Sequence, residues 1–148
     1  MPDNKPAAAN RATSQWAAQF LVASELVRRG YTVSFTMGNH TPDADLVVRS
    51  PNDELFLVDV KGQRQKGPWL VKPKDSVKAL FYILVYLAPL PKGNDPRKPD
   101  EFFVLKQEEA SELAKAFPAS HPNDKGVFPG FGWHDPERFR DDWSKLPR

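Results

Sequence analysis

Alternation of apolar and polar positions is sharpest over residues 45–61, DLVVRSPNDELFLVDVK. Two apolar runs, 46–48 and 55–58, flank Ser50, Pro51, Asn52 and Asp53. Pro suits the second position of a tight turn, and Asn and Asp tolerate the unusual backbone angles around it, so the stretch predicts a β-hairpin. Side chains alternate across a strand, which puts Leu55, Leu57, Asp59 and Lys61 on one face and Phe56, Val58 and Val60 on the other. Asp59 and Lys61 are then neighbours, about 7 Å apart along the strand. Asp45 opens the partner strand and can lie across from them.

The rest of the chain supplies elements around this hairpin. Residues 13–29 predict a helix, capped at Thr13 or Ser14, with Arg28 and Arg29 at its negative end and Gly30 after it. Trp16, Phe20, Ala23 and Val27 recur at helical spacing as its inward stripe, widened by Leu26. Residues 31–36 alternate and predict a first strand, and 37–42 carry loop residues. Residues 75–78 suggest a helical turn capped by Asp75. The run LFYILVYL, 80–87, is apolar on both faces and predicts a central strand covered on both sides. Residues 88–100 are a Pro-rich surface loop and 101–105 a further strand. A second helix over 107–117 turns Ala110, Leu113, Ala114 and Phe117 inward, with Pro118 as its stop. Residues 118–134, with Phe128, Phe131 and Trp133, predict an irregular aromatic cap, the alternatives being a lid or a base-stacking surface, and 137–145 a short helix carrying Phe139 and Trp143 inward. The expected organisation is a flexible tail over 1–12 and a single α/β domain over 13–148, irregular from about 118.

Composition narrows the class. A chain of 148 residues is long enough for one core. Its 40% hydrophobic and 27% charged residues are ordinary for a soluble domain. No apolar run approaches the roughly 20 residues that cross a bilayer, so no membrane partner is expected. The start MPDNKPAAANRAT has no apolar core and is not read as a signal peptide. The chain has no cysteine, which excludes disulfides and thiolate metal sites and fits a cytoplasmic protein. His40, His121 and His134 have no metal-ligand spacing. The formal net charge of +2 does not demand a nucleic-acid partner, although local basic clusters can supply one.

The candidate chemistry lies at the end of the hairpin. Two carboxylates at about 4 Å repel by roughly 4 kcal/mol at an effective dielectric of about 20. Lys61 offsets part of this, and a hard divalent cation offsets more; Mg²⁺ is commonly held by one or two carboxylates together with substrate phosphates. The alternative is a surface ion pair at a strand end. Asp43 competes with Asp45 for the acidic position, but follows Pro42 and belongs to the turn. Beyond Lys61 the segment GQRQKGPWLVKPK carries Arg64, Lys66, Lys72 and Lys74, with Trp69 between them as a core anchor. Such a basic segment beside an acidic metal site suits a phosphodiester substrate. Gln63 continues the face of Asp59 and Lys61 if the strand persists. Glu25 is the only acid of the first helix and can reach a site at the domain edge, or simply pair with Arg28 or Arg29.

Helix, three strands, short helix, two strands and helix, with Asp45 opening the second strand and Asp59, Val60 and Lys61 closing the third, resemble the PD-(D/E)xK nuclease superfamily over residues 14–117. The resemblance implies a restriction-endonuclease-like three-layer fold, a mixed sheet of about five strands flanked by helices. It implies Mg²⁺-dependent hydrolysis of phosphodiester bonds in DNA, with Mn²⁺ as a substitute ion. Asp45, Asp59 and the Val60 carbonyl would be the metal ligands and Lys61 the catalytic lysine. Glu25 matches the acid that many members place in the first helix, and Gln63 the polar residue beyond the lysine. A homodimer would let so small an enzyme cut both strands. The competing expectations are a non-catalytic nucleic-acid-binding or protein-interaction domain of the same fold, and an α/β interaction module whose acidic strand end is incidental.

Overall fold

The computed structural model describes residues 7–36, 44–72, 79–120 and 129–148. A long helix, α1 (Ala7–Arg28), leads into β1 (Thr32–Phe35), β2 (Leu46–Arg49) and β3 (Leu55–Gln63). A two-residue strand, β4 (Trp69–Leu70), precedes β5 (Leu80–Tyr86), β6 (Glu101–Lys106) and α2 (Gln107–Ser120). A final short strand, β7 (Gly130–Phe131), pairs with β4 to make a second, two-stranded sheet. The main sheet is mixed, in the order β1-β2-β3-β5-β6. Its β3 and β5 are parallel and its other pairs antiparallel.

The two faces of this sheet carry two cores. Phe56, Val58 and Val60 of β3 and Phe81, Ile83 and Val85 of β5 pack with Ala18, Val22 and Leu26 of α1. Tyr82 and Leu84 of β5 face the other way and pack with Ala110, Ala114 and Phe117 of α2 and with Trp69 and Phe131. Period-two alternation in an apolar strand thus feeds both cores at once, and the chain is an α/β domain with a helix on each face of a five-stranded sheet.

The predicted hairpin forms. Its register runs from Leu46 opposite Val58 to Arg49 opposite Leu55. The Ser50 hydroxyl accepts the Glu54 N–H at 3.0 Å, and Asp53 takes φ 67°, the left-handed geometry that Asp tolerates.

Helix α1 departs from expectation in two ways. It begins at Ala7 rather than near Thr13, and so takes in residues 7–12 of the segment read as a tail. It also presents a different face. Trp16, Phe20 and Val27 are 40%, 59% and 57% exposed, while Ser14, Ala18, Val22 and Leu26, every fourth residue, are buried along with Ala23. The reason is steric. A Cβ on Gly62 of β3 would collide with the Ala18 methyl and come within 3.0 Å of the Ser14 carbonyl oxygen. The helix lies so close to the sheet that only small residues fit between them, and the rings turn outward, Trp16 stacked on Phe20 at 5.8 Å. The predicted end of the helix holds: Gly30 at φ 95°, with Tyr31 N–H donating to the Leu26 carbonyl and Gly30 N–H to that of Val27.

Helix α2 runs past Pro118 to Ser120, so Pro118 lies in its last turn rather than stopping it; so near the end, its missing donor removes a single hydrogen bond. The expected helix over 137–145 is instead two 3₁₀ turns, Glu137–Phe139 and Trp143–Lys145. Between them Arg140 bridges to Phe103 on the β6 edge, and Asp141 takes φ 51°. A continuous helix would aim Phe139 and Trp143 at one face. Here Phe139 joins the α2-side core and Trp143 the α1-side core, so the segment has to break as it rounds the sheet edge. The predicted turn over 75–78, His40, Asp43, Lys74, His121 and Phe128 lie outside the described residues. Among the described residues no helix is long and apolar enough to cross a membrane.

Candidate functional site

Strand β3 outruns its partner. The ladder with β2 ends at Leu46 opposite Val58, whereas β3 continues to Gln63. Asp45 fills the step that results. Its backbone N–H donates to the Val58 carbonyl at 2.9 Å, and its carboxylate Oδ2 accepts the Val60 N–H at 2.7 Å. The carboxylate does there what the next strand residue's carbonyl would otherwise do.

The Val60 carbonyl is taken from the other side. Gln15 of α1 donates its amide Nε2 to that oxygen at 2.6 Å, stands 3.5 Å from Asp45 Oδ2, and accepts the Gly62 N–H on Oε1 at 3.4 Å. This contact depends on the close approach of α1 at Gly62. On the face away from α1, Asp59 is buried, and its Oδ1 lies 3.1 Å from Lys61 Nζ. The Lys61 side chain is 36% exposed, so its ammonium is bound to the site and also reaches solvent.

Asp45 thus meets Val60 at the step, and Asp59 pairs with Lys61 on the neighbouring residues of the same strand. Glu25 is not among them. It is ten residues along α1 from Gln15, about 15 Å of helix, and its carboxylate stands 3.8 Å from Arg28 and 3.5 Å from Arg29. Gln63 shares the β3 face of Lys61, but its amide donates to the Gly67 carbonyl at 2.9 Å and closes the turn after the strand. Of the basic segment, Arg64 donates to the Ser14 hydroxyl at 2.8 Å, Lys66 lies over the rings of Tyr86 and Trp133, and Lys72 is exposed. Trp69 is fully buried, as its reading as an anchor requires.

Gln15 is the residue that sequence reasoning missed. With Trp16 and Phe20 placed inward, Gln15 appears as an incidental polar position. Once Ser14, Ala18, Val22 and Leu26 form the inward row, it flanks that row at the end nearest the step. The long run of small residues in α1 was the available signal, since such a run permits a helix to sit close on a sheet.

Chemically, the step offers oxygen donors: the Asp45 and Asp59 carboxylates, the Val60 carbonyl and the amide of Gln15. Hard oxygen donors of this kind suit Mg²⁺ or Mn²⁺. Among the described residues no group of three or more His, Cys, Asp or Glu side chains forms a metal cluster, so a cation here would draw on the backbone and amide oxygens as well. At the Val60 carbonyl it would share the oxygen with the Gln15 N–H or displace it. No family model, no curated protein and no solved structure matches this chain.

Proposed function

We propose that the step at the end of β2 is the active site of a Mg²⁺-dependent nuclease of the PD-(D/E)xK type, with a restriction-endonuclease-like fold, hydrolysing phosphodiester bonds of DNA. The observation that supports this reading is that, where β3 outruns β2, Asp45 bonds to Val60 while the adjacent Asp59 and Lys61 pair with each other. Asp45 and Asp59 would hold the ion, with the Val60 carbonyl as a third ligand. The bound ion would lower the pKa of a water ligand and neutralise charge on the phosphate. Lys61, fixed by Asp59 yet half-exposed, would orient the attacking water and stabilise the charge that develops on the phosphorus oxygens. Arg64, Lys66 and Lys72, on the chain just past the site, would meet neighbouring phosphates.

Mn²⁺ titration followed by the electron paramagnetic resonance of the free ion tests the site directly. The native chain is expected to bind the ion and to nick single-stranded circular or plasmid DNA in Mg²⁺, and Asp59→Ala to lose both. Nicking that persists in Asp59→Ala, or a native chain that takes up no ion, would overturn the reading.

A further inference from the structure

Past Lys61, the same sheet face becomes aromatic. Gln63 stands opposite Tyr86 in the parallel pair of β3 and β5. The Tyr86 ring meets Trp133 edge to face, centroids 5.1 Å apart at 78°. Trp133 in turn stacks nearly parallel on Trp69, at 5.3 Å and 14°. The two tryptophans differ in burial: Trp69 is sealed in the core, whereas Trp133 remains partly exposed. The Lys66 ammonium hangs over this corner, 5.4 Å from the Tyr86 centroid and 5.8 Å from that of Trp133. Lys66 rides on the turn that Gln63 closes through Gly67. Lys61, Gln63, Tyr86, Lys66 and Trp133 therefore follow one another away from the acidic step.

A ring fixed from behind by a parallel indole, partly open and rimmed by a cation, has the features of a base-stacking platform. Every base has a π-face, and stacking on an aromatic side chain is worth roughly 1–3 kcal/mol per base. A duplex keeps its bases stacked on one another, so the platform can be used only by a base that is already unpaired. We infer that Trp133, flanked by Tyr86 and Lys66, seats an unpaired base of a nucleotide close to the phosphate held at Asp59 and Lys61, and that the substrate class is single-stranded or frayed DNA rather than intact duplex. The inference rests on the nuclease reading for the direction of the strand, but not for the existence of the seat. Lys66, released from the rings by an incoming base, would pair with that nucleotide's phosphate.

The test needs no cleavage. Intrinsic tryptophan emission is followed in EDTA while oligo(dT) of about twelve nucleotides, within the usual site size, or a hairpin duplex is added. The single strand is expected to quench the emission and to bind at least about 10-fold tighter than the duplex. Trp133→Phe keeps a ring in place and is expected to fold; it should lose most of the quench while binding within about 3-fold of the native chain. Lys66→Met, at an exposed position, should lower the salt slope of single-strand binding by about 1. Equal quenching in Trp133→Phe, or equal affinity for duplex and single strand, would overturn the seat. Loss of nicking in every assay with the quench intact would instead remove the nuclease reading and leave the seat standing.

Discussion

Among the described residues two lysines pair with carboxylates, and their surroundings differ. Lys145, in the second 3₁₀ turn, is 9% exposed, and its ammonium meets Glu109 at 2.7 Å, the Val104 carbonyl at 2.9 Å and Asp142 at 3.1 Å. An ammonium has three donors, and here each has an oxygen. Its position over the Phe139 ring, 4.2 Å from the centroid, completes the enclosure. Lys61 stands 3.1 Å from Asp59 with its side chain 36% exposed. A saturated ammonium fastens the carboxy-terminal segment to β6 and α2. One that is held yet still reaches solvent can act on something that arrives. On the proposed reading, what separates the two is the number of donors already committed rather than the presence of an ion pair.

The sharpest way to break this comparison is to remove each ammonium in turn. Lys61→Ala is expected to lower the nicking rate per folded molecule by about 100-fold or more, and to lower the melting temperature as well, because the buried Asp59 carboxylate loses its cation. Lys145→Ala should spare the chemistry. It leaves two carboxylates facing each other at the clasp and should cost about 2–3 kcal/mol, or roughly 5–10 °C in melting temperature, with the nicking rate per folded molecule unchanged. If both variants lose activity in proportion to stability, the two sites are the same kind of thing and the distinction fails.

A smaller effect sharpens the comparison from the side of the support. Gly62→Ala places a methyl against Ala18 and the Ser14 carbonyl, neither of which can yield without moving α1. The expected cost is about 1–2 kcal/mol. Because Gln15 reaches Val60 only through this approach, Mn²⁺ affinity should change in the same variant, whereas the clasp around Lys145 should not.

The smallest effect is one of pH. The hydrogen bonds from Arg140 hold the Glu137 carboxyl below its usual value, and the Arg140 guanidinium is correspondingly pushed up by Glu137 and Glu101. A carboxyl depressed in the folded state adds stability above its unfolded pKa, near 4.3, and loses it as pH falls through the lower folded value. Glu137 is exposed, so acid unfolding of Glu137→Gln, followed by circular dichroism, should show only a slightly shallower loss of stability below about pH 4.

How much of this was legible in the residues varies by element. The hairpin was, because Ser50, Pro51, Asn52 and Asp53 encode a turn locally and alternation encodes the faces. So was the central place of β5, since seven apolar residues in succession need cover on both sides. The inward face of α1 was not. Ring size pointed to Trp16 and Phe20, but Gly62, more than forty residues away in sequence, set the distance between helix and sheet and so excluded them. The same error hid Gln15. The carboxy-terminal segment was read with the right aromatic anchors and the wrong backbone, because only the position of the β6 edge tells Phe139 and Trp143 to part.

The amino-acid order alone determined what is local: turn chemistry, strand alternation, the Gly30 helix end, and the placing of Asp59 and Lys61 on one face two residues apart. These follow from backbone geometry with a range of a few residues. The tertiary structure decided which helix residue meets the acidic step, how many of each ammonium's donors are committed, and that Trp133 comes to lie beside Tyr86 and Lys66. Those are questions of distance between segments remote in the chain, and distance is set by packing, where one glycine is enough to turn a helix about its axis.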